Sequence, residues 1–354
     1  MKNLEKYKSL LNGEMDGLLL TSRYSRHYGA ESDIAEGVAI VTKTGCRYFT
    51  DSRYIECAEN HLKDFEVLLT DRQHTPFQRL NDAIADFGVT TLGYEENYLT
   101  VAELRGYEKN LNAKLTPLQD SISAFRESKE DWEIALMQRA QQITDKAFAA
   151  VLPRIKAGMS ELELQAELIY CLYRNGATGL AFDPIVVSGP NTSLPHGVAG
   201  ERKIQPGDFV TMDFGASYRG YCSDMTRTIA VGFATEEMKK VYSIVLEAQN
   251  AAIAATKAGV PGCEIDGIAR KVIEDAGYGQ YFGHGYGHSL GLEIHENPSL
   301  NPRNHRPLPV NAVCSAEPGI YLPGKFGIRI EDVTILKDDG AIDITASPKN
   351  LIIV

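Results

Sequence analysis

Two pairs of carboxylates and one crowded group of histidines carry the chemistry open to this sequence. Phe209-Val-Thr-Met-Asp213-Phe-Gly215 and Tyr221-Cys-Ser-Asp224-Met-Thr-Arg-Thr-Ile-Ala-Val231 read as the strands of one hairpin, turning near Tyr218-Arg219-Gly220. Opposed residues of an antiparallel pair have a constant index sum. The midpoint of Asp213 and Asp224 falls between Tyr218 and Arg219, inside that turn. The two carboxylates are therefore expected face to face, with Cβ atoms roughly 4.5–5.5 Å apart. Like charges that close are unfavourable unless something positive lies between them, and two divalent cations roughly 3.5–4 Å apart would supply it. The same arithmetic sets Glu317 opposite Glu331 about Gly324, within the turn signal Pro323-Gly324-Lys325. Arg329 lies two residues before Glu331, hence on the same strand face, where it can orient a ligating carboxylate.

The chain has eight histidines, and His284, His288, His295 and His305 crowd into one stretch. Its centre reads Gly283-His284-Gly-Tyr-Gly-His288-Ser-Leu-Gly-Leu-Glu-Ile-His295-Glu296. The glycines argue against a helix and allow close backbone approach to a ligand. One imidazole with four carboxylates is a nitrogen–oxygen donor set without sulfur. It suits Mn²⁺, Co²⁺, Fe²⁺ or Zn²⁺ in a dinuclear hydrolase better than a structural zinc site, or than Ca²⁺ or Mg²⁺. The six cysteines are scattered with no CxxC pair and read as reduced, mostly buried thiols. Cys222 shares a strand face with Asp224 and reads either as a small buried filler, the commoner role, or as a thiol that approaches the metals.

These residues need a scaffold, and the rest of the sequence supplies one of α+β class. The first ~120 residues alternate short apolar runs with helical patterns, as a small α/β unit does. Gly17–Thr21, Val38–Thr42, Cys46–Thr50, Phe65–Thr70 and Thr91–Tyr94 read as strands, and Thr75-Pro76 starts a helix that Gly88 closes. The aperiodic segment from Thr116 to Lys129 marks a domain boundary, giving domains 1–122 and 123–354. The second domain opens with a helix, for which Ser128 and Asp131 fit a capping box. A further helix starts at Ser160 with Glu163 and ends at Gly176. That pattern recurs at an offset of 101 residues: Lys156-Ala157-Gly158 matches Lys257-Ala258-Gly259, Glu163 matches Glu264, and Gly176 matches Gly277. Either this domain is built of two similar halves with the active site between them, or two helical hairpins share their cap chemistry.

Composition bounds the function. The 354 residues are 44% apolar and 23% charged, ordinary for a globular protein of two domains or one large one. A net charge of −11 argues against a nucleic-acid or anionic-membrane partner. No apolar run approaches the ~20 residues that span a bilayer. Charges interrupt the N-terminal MKNLEKYKSLLNGEMDG, so no signal-peptide core is read there and a cytoplasmic location is expected.

In their contexts MDFGA, SDMTRT, GHSLGLEIHE, EPGIY and RIEDV, Asp213, Asp224, His288, Glu317 and Glu331 resemble the pita-bread metallopeptidases, especially the proline-specific branch of aminopeptidase P and prolidase. The resemblance spans the chain. It implies a pita-bread catalytic domain of two pseudo-symmetric halves behind a creatinase-type N-terminal α/β domain. It further implies that the five residues bind two metal ions, Mn²⁺ foremost, with Asp213 and Glu331 bridging or bidentate. His196, in Leu194-Pro195-His196-Gly197, matches a histidine near the substrate, and His295 matches one that steadies the tetrahedral intermediate. His284 and Tyr321 fall on active-site positions and are counted with Arg329 as substrate-binding. The resemblance and the ligand set further lead us to expect Glu317 as proton shuttle in hydrolysis by a metal-bridging hydroxide. The implied substrates are Xaa-Pro dipeptides or peptides with proline second, and the implied assembly is a homodimer. Ser289 departs from the glycine that many members carry after the ligand histidine, a change that could alter the pocket wall. Two other classes share the fold: a non-catalytic binding protein, usually marked by lost ligands, and a creatinase-type amidinohydrolase that needs no metal. The intact ligand set argues against both. His27, Arg23 and Arg26 read either as substrate-entrance residues or as loop charges, and His305 as a loop residue.

Overall fold

Burial on both faces turns the short N-terminal apolar runs into strands: every residue of Gly17–Leu20 and Val38–Thr42 is buried. The protein, here a computed structural model describing residues 2–34 and 36–354, divides into one unit ending at Phe125 and another beginning at Arg126. The first unit is built on a six-stranded sheet in the order Glu66–Leu69, Cys46–Thr50, Val38–Thr42, Gly17–Leu20, Thr91–Tyr94, Lys114–Pro117. Its two central junctions are antiparallel and its outer three parallel. Helix Pro76–Phe87 opens on a Thr75/Gln78 capping box, ends at left-handed Gly88 and buries Leu80, Ala83 and Ile84. The sequence reading missed Lys114–Pro117. At the sheet edge Lys114 and Pro117 are exposed and Leu115 and Thr116 only half-buried, so no apolar alternation marks them.

In the second unit the 101-residue offset is structural. Helix Glu161–Arg174 recurs as Gly262–Asp275, preceded by Asp131–Val151 in one half and Glu236–Ala255 in the other. Gly176 and Gly277 both take positive φ just beyond the matching helices. Each half has its own core. The first packs Ile143, Leu164, Leu168, Met212 and Ile229, the second Val241, Ile265, Ala269, Ile328 and Leu336. The first half lays its helices on the antiparallel sheet Met225–Ala230, Phe209–Phe214, Ile185–Ser188. The second carries Glu296–Leu300, Gly287–Ser289, Val313–Ala316, Asp332–Lys337 and Gly340–Asp343 in that sheet order.

The expected Ser128/Asp131 capping box is not formed. The Glu133 carboxylate instead accepts the N–H of Glu130 at 2.8 Å, and the Ser128 hydroxyl donates to the Val310 carbonyl at 2.7 Å. Ser128 is thus engaged by the second half before the helix begins. Among the described residues, no helix is long and apolar enough to cross a membrane.

Candidate active site

A two-residue turn sets the first carboxylate pair. Tyr218 pairs with Tyr221, and Arg219 and Gly220 between them take φ of 49° and 84°, the left-handed pair that matches strand twist in a tight hairpin. The register that follows places Thr226, not Asp224, opposite Asp213. The expected face-to-face pairing is therefore corrected: the turn is centred one residue later than the sequence suggested, which moves the partner by two. Asp224 falls between strands Tyr221–Cys222 and Met225–Ala230, 4% exposed.

The second hairpin keeps the expected register. Gly319 pairs with Arg329 in one ladder and Ala316 with Asp332 in the next, which leaves Glu317 and Glu331 as the opposed residues between them. Their own backbone bonds go elsewhere. Glu317 N–H donates to Tyr286 O at 2.9 Å and Glu331 N–H to Thr226 O at 3.1 Å, the latter joining the second hairpin to the first.

All four acids and His288 line one cleft of ≈ 980 Å³ within the second unit, together with His196, His284, His295 and Arg329. His288 Nε2 lies 3.6 Å from an Asp224 oxygen and 3.4 Å from a Glu317 oxygen. Asp224, His288 and Glu331 each offer a donor atom within 4.8 Å of the others. The Arg329 guanidinium donates to Asp213 Oδ2 at 2.5 Å, to the Tyr321 hydroxyl at 2.8 Å and to Thr226 Oγ1 at 3.0 Å. It therefore orients Asp213 rather than its strand neighbour Glu331.

Electrostatics show what this arrangement lacks. Burial, then the charges of Asp213 and Glu317, hold the Asp224 carboxyl well above the ordinary carboxylate range. Burial and the neighbouring acids do the same to Glu331. Glu317 is pushed up to about 8, chiefly by burial, with Arg329 opposing and Asp213 assisting. Four acids share one guanidinium, so they cannot all ionise without further positive charge. Asp213 Oδ1, Asp224 Oδ1 and Glu331 Oε1 are buried with no hydrogen-bond partner among the described residues, an expensive condition for carboxylate oxygens.

The imidazoles add to this picture. His288 Nδ1 faces the Ser289 carbonyl at 3.2 Å, so it carries the proton, and the Nε2 lone pair points at carboxylates. Burial pulls its pKa down to about 3, which keeps the ring neutral. A lone pair and orphaned carboxylate oxygens converging on one spot fit divalent metal ions. His284 is different. Its Nδ1 faces the Gly285 carbonyl at 2.8 Å and its Nε2 the Tyr321 hydroxyl at 2.9 Å, so both nitrogens are engaged by the protein. Tyr321 is buried behind His284 and does not line the cleft. The His295 ring meets that of His288 edge-on, with centroids 4.4 Å apart.

Two hydroxyls were overlooked in the sequence. Thr226 Oγ1 donates to Glu331 Oε2 at 2.7 Å, and Ser315 Oγ donates to Glu317 Oε1 at 3.3 Å while accepting His288 N–H at 3.1 Å. Each lies two residues from a candidate ligand, on the same strand face, which is the signal that could have found them. Cys222 is buried at 3.9 Å from the Leu292 carbonyl, with burial pushing its thiol pKa up, and is absent from the cleft wall. Ser289 likewise lies off that wall. In the first unit, His27 and Arg26 are buried while Arg23 pairs with Asp33 at 2.8 Å, and in the second His305 lies in an exposed loop.

Comparison with known proteins agrees with this geometry. Residues 135–338 match the description Metallopeptidase family M24, and residues 6–128 match the Creatinase/Prolidase N-terminal domain. A curated Xaa-Pro dipeptidase of Pyrococcus horikoshii is 41% identical over 98% of this chain and 99% of its own. The structure of an Xaa-Pro dipeptidase from Bacillus anthracis superposes with a TM-score of 0.96 at 41% identity, covering 100% of this chain and 99% of that one. An X-Pro aminopeptidase from Thermotoga maritima gives 0.93 at 37% identity, with full coverage of both chains. The two-halved unit is thus the pita-bread domain expected from the sequence motifs, carried behind a creatinase-type N-terminal domain. The chain belongs to metallopeptidase family M24.

Proposed function

We propose that the cleft holds two divalent metal ions, Mn²⁺ foremost, through Asp213, Asp224, His288, Glu317 and Glu331, and hydrolyses the bond between a first residue and proline. The observation that carries the reading is the convergence, from both halves, of the His288 lone pair and three orphaned carboxylate oxygens. The relatives named Xaa-Pro dipeptidase and X-Pro aminopeptidase support the substrate class. Bound there, two cations would supply Lewis acidity, lowering the pKa of a water and stabilising charge on the scissile carbonyl.

The chain's own residues do the rest. Glu317 takes the proton that the attacking water loses and returns it to the prolyl nitrogen as the C–N bond breaks. His295 donates a hydrogen bond to the oxygen that becomes negative, and His196, on the same wall, holds the substrate carbonyl. The chain Arg329–Tyr321–His284 fixes Asp213 at one end and a substrate-facing ring at the other. An Xaa-Pro bond has no N–H to grip, so recognition must come from the ring and the peptide's ends.

Dipeptides are the preferred length in this reading. Arg303 lines the cleft, and its exposed guanidinium makes no ion pair or hydrogen bond with another described residue, so it is available to a proline carboxylate. The test is product analysis on an equimolar Xaa-Pro dipeptide and Xaa-Pro-Xaa tripeptide, with Mn²⁺ and with chelator. Metal-dependent cleavage favouring the dipeptide, with the preference lost in Arg303→Ala, supports the reading. Tripeptide preference makes it an aminopeptidase P, and chelator-insensitive turnover overturns the metal site.

A further inference from the structure

The strand that bears His288 and the segment that leads from His295 into the next strand are held from behind by charges the mechanism does not use. His288 and His295 line the cleft, whereas Ser289 and Glu296, which pair with each other where the ladder shifts register after His288, lie off its wall. On that rear side Lys129 Nζ reaches both, donating to Ser289 Oγ at 3.1 Å and to Glu296 Oε2 at 3.0 Å. Ser289 Oγ donates its own hydrogen bond to the Val313 carbonyl at 2.9 Å. Glu296 Oε1 accepts from the Arg126 guanidinium and from Glu293 N–H at 3.1 Å. The side chains of Lys129, Arg126 and Glu296 are 1%, 4% and 4% exposed. The loop closes tightly over this carboxylate: a Cβ on Gly291 would stand 2.7 Å from Glu296 Oε2.

Packing alone does not account for such a cluster, because an apolar plug of equal volume is often as stable as a buried ion pair or more so. We propose that Lys129, backed by Arg126, is a positioning residue: through Ser289 and Glu296 it fixes the strand pairing that aims the His288 lone pair at the metal site and sets His295 beside it. The inference rests on the roles proposed above for those two histidines. It also gives the departure from glycine at Ser289 a purpose, since a glycine there would leave one arm of Lys129 without a partner.

The experiment compares full-length wild type with Lys129→Met, Lys129→Arg, Ser289→Ala and Arg306→Met. Three quantities are read: imidazole ¹⁵N–¹H NMR signals of the metal-free protein, Mn²⁺ affinity by calorimetry, and kcat and KM on an Xaa-Pro dipeptide. Lys129→Met is expected to shift the ring signals of His288 and His295 and to weaken Mn²⁺ binding or kcat about 10–100-fold, as loss of a group supporting a ligand does. KM stays nearly constant, and Lys129→Arg restores part of the loss. Arg306→Met, which breaks only the exposed 2.9 Å pair with Glu127 on the same segment, changes none of these. Folded Lys129→Met with wild-type ring signals, affinity and kcat overturns the proposal. Should that variant fail to fold, Ser289→Ala, which removes one arm only, decides: shifted ring signals support the proposal and unchanged ones overturn it. Failure of the wild type to bind Mn²⁺ or cleave the dipeptide would instead overturn the proposed function, with the metal-free ring signals still judging the clamp.

Discussion

Among the described residues Arg227 is the largest fully buried side chain, and its removal tests whether buried polar bonds hold the candidate site in shape. The guanidinium donates to the carbonyls of Thr226 (2.9 Å), Glu331 (2.6 Å), Ser347 (2.7 Å) and Pro348 (3.0 Å), and to Asp332 Oδ1 at 2.7 Å. Arg227→Met keeps the stem and deletes all five bonds. Asp332 keeps Lys349 and Gln249 on its other oxygen, so the anion is not wholly stranded. Breaking one side of a buried pair costs about 3–5 kcal/mol, and the remaining partners argue for the lower end. At ~2–4 °C per kcal/mol for a unit of this size, Tm should fall by roughly 6–12 °C. Scanning calorimetry of the full chain is the assay, because two units can melt separately and only the transition of the second should move. Lys325→Met, which breaks an exposed pair with Glu237, serves as control and should change stability by about 0.5 kcal/mol or less. A loss under about 1 kcal/mol for Arg227→Met would refute the reasoning, since the carbonyls around Glu331 would then be satisfied without the guanidinium.

Three further outcomes are expected. Thr226→Val removes the hydroxyl that bonds Glu331 and Arg329, and should weaken Mn²⁺ binding about 10–100-fold by calorimetry; unchanged affinity would remove Thr226 from the site. Mn²⁺ at about a hundred times its Kd should add ~2.7 kcal/mol and raise Tm by roughly 5–10 °C for each site filled, an increment that Asp224→Asn should largely abolish. Asp343 is pushed up to about 6 from 3.8 by burial and then by the Asp332 charge. A raised carboxyl pKa means the folded state prefers the proton, so this contribution is most favourable below about pH 4 and is lost as pH rises through 6. Asp343→Asn should therefore flatten that part of the pH dependence of the urea midpoint, and an unchanged slope between pH 4 and 7 would count against it.

How far the sequence disclosed the site can be judged residue by residue. The Glu317/Glu331 register was legible because the second hairpin is symmetric about a glycine that marks its turn, and the flanking ladders continue the same pairing. The first hairpin misled by one residue because its turn begins at Arg219, an arginine at positive φ that carries no turn signature. The repeat was legible because caps recur where helices must start and stop, and the observed helices Glu161–Arg174 and Gly262–Asp275 keep that offset. The bonds behind the site were not legible. Lys129 meets Ser289 across 160 positions and Arg126 meets Glu296 across 170, and neither pair shares an element, a period or a turn that a linear pattern could reveal. Buried polar partners of this kind are fixed by tertiary packing, where each donor takes whichever acceptor the fold leaves unpaired.

The most direct test of the central claim is the metal content of active enzyme: metal-free protein titrated with Mn²⁺ by calorimetry, with Xaa-Pro hydrolysis followed at each point. Two ions per chain are expected, with activity that rises as they bind, and His288→Ala should lose both metal and activity. Full activity with no ion bound, or undiminished activity in a chelator, would contradict it.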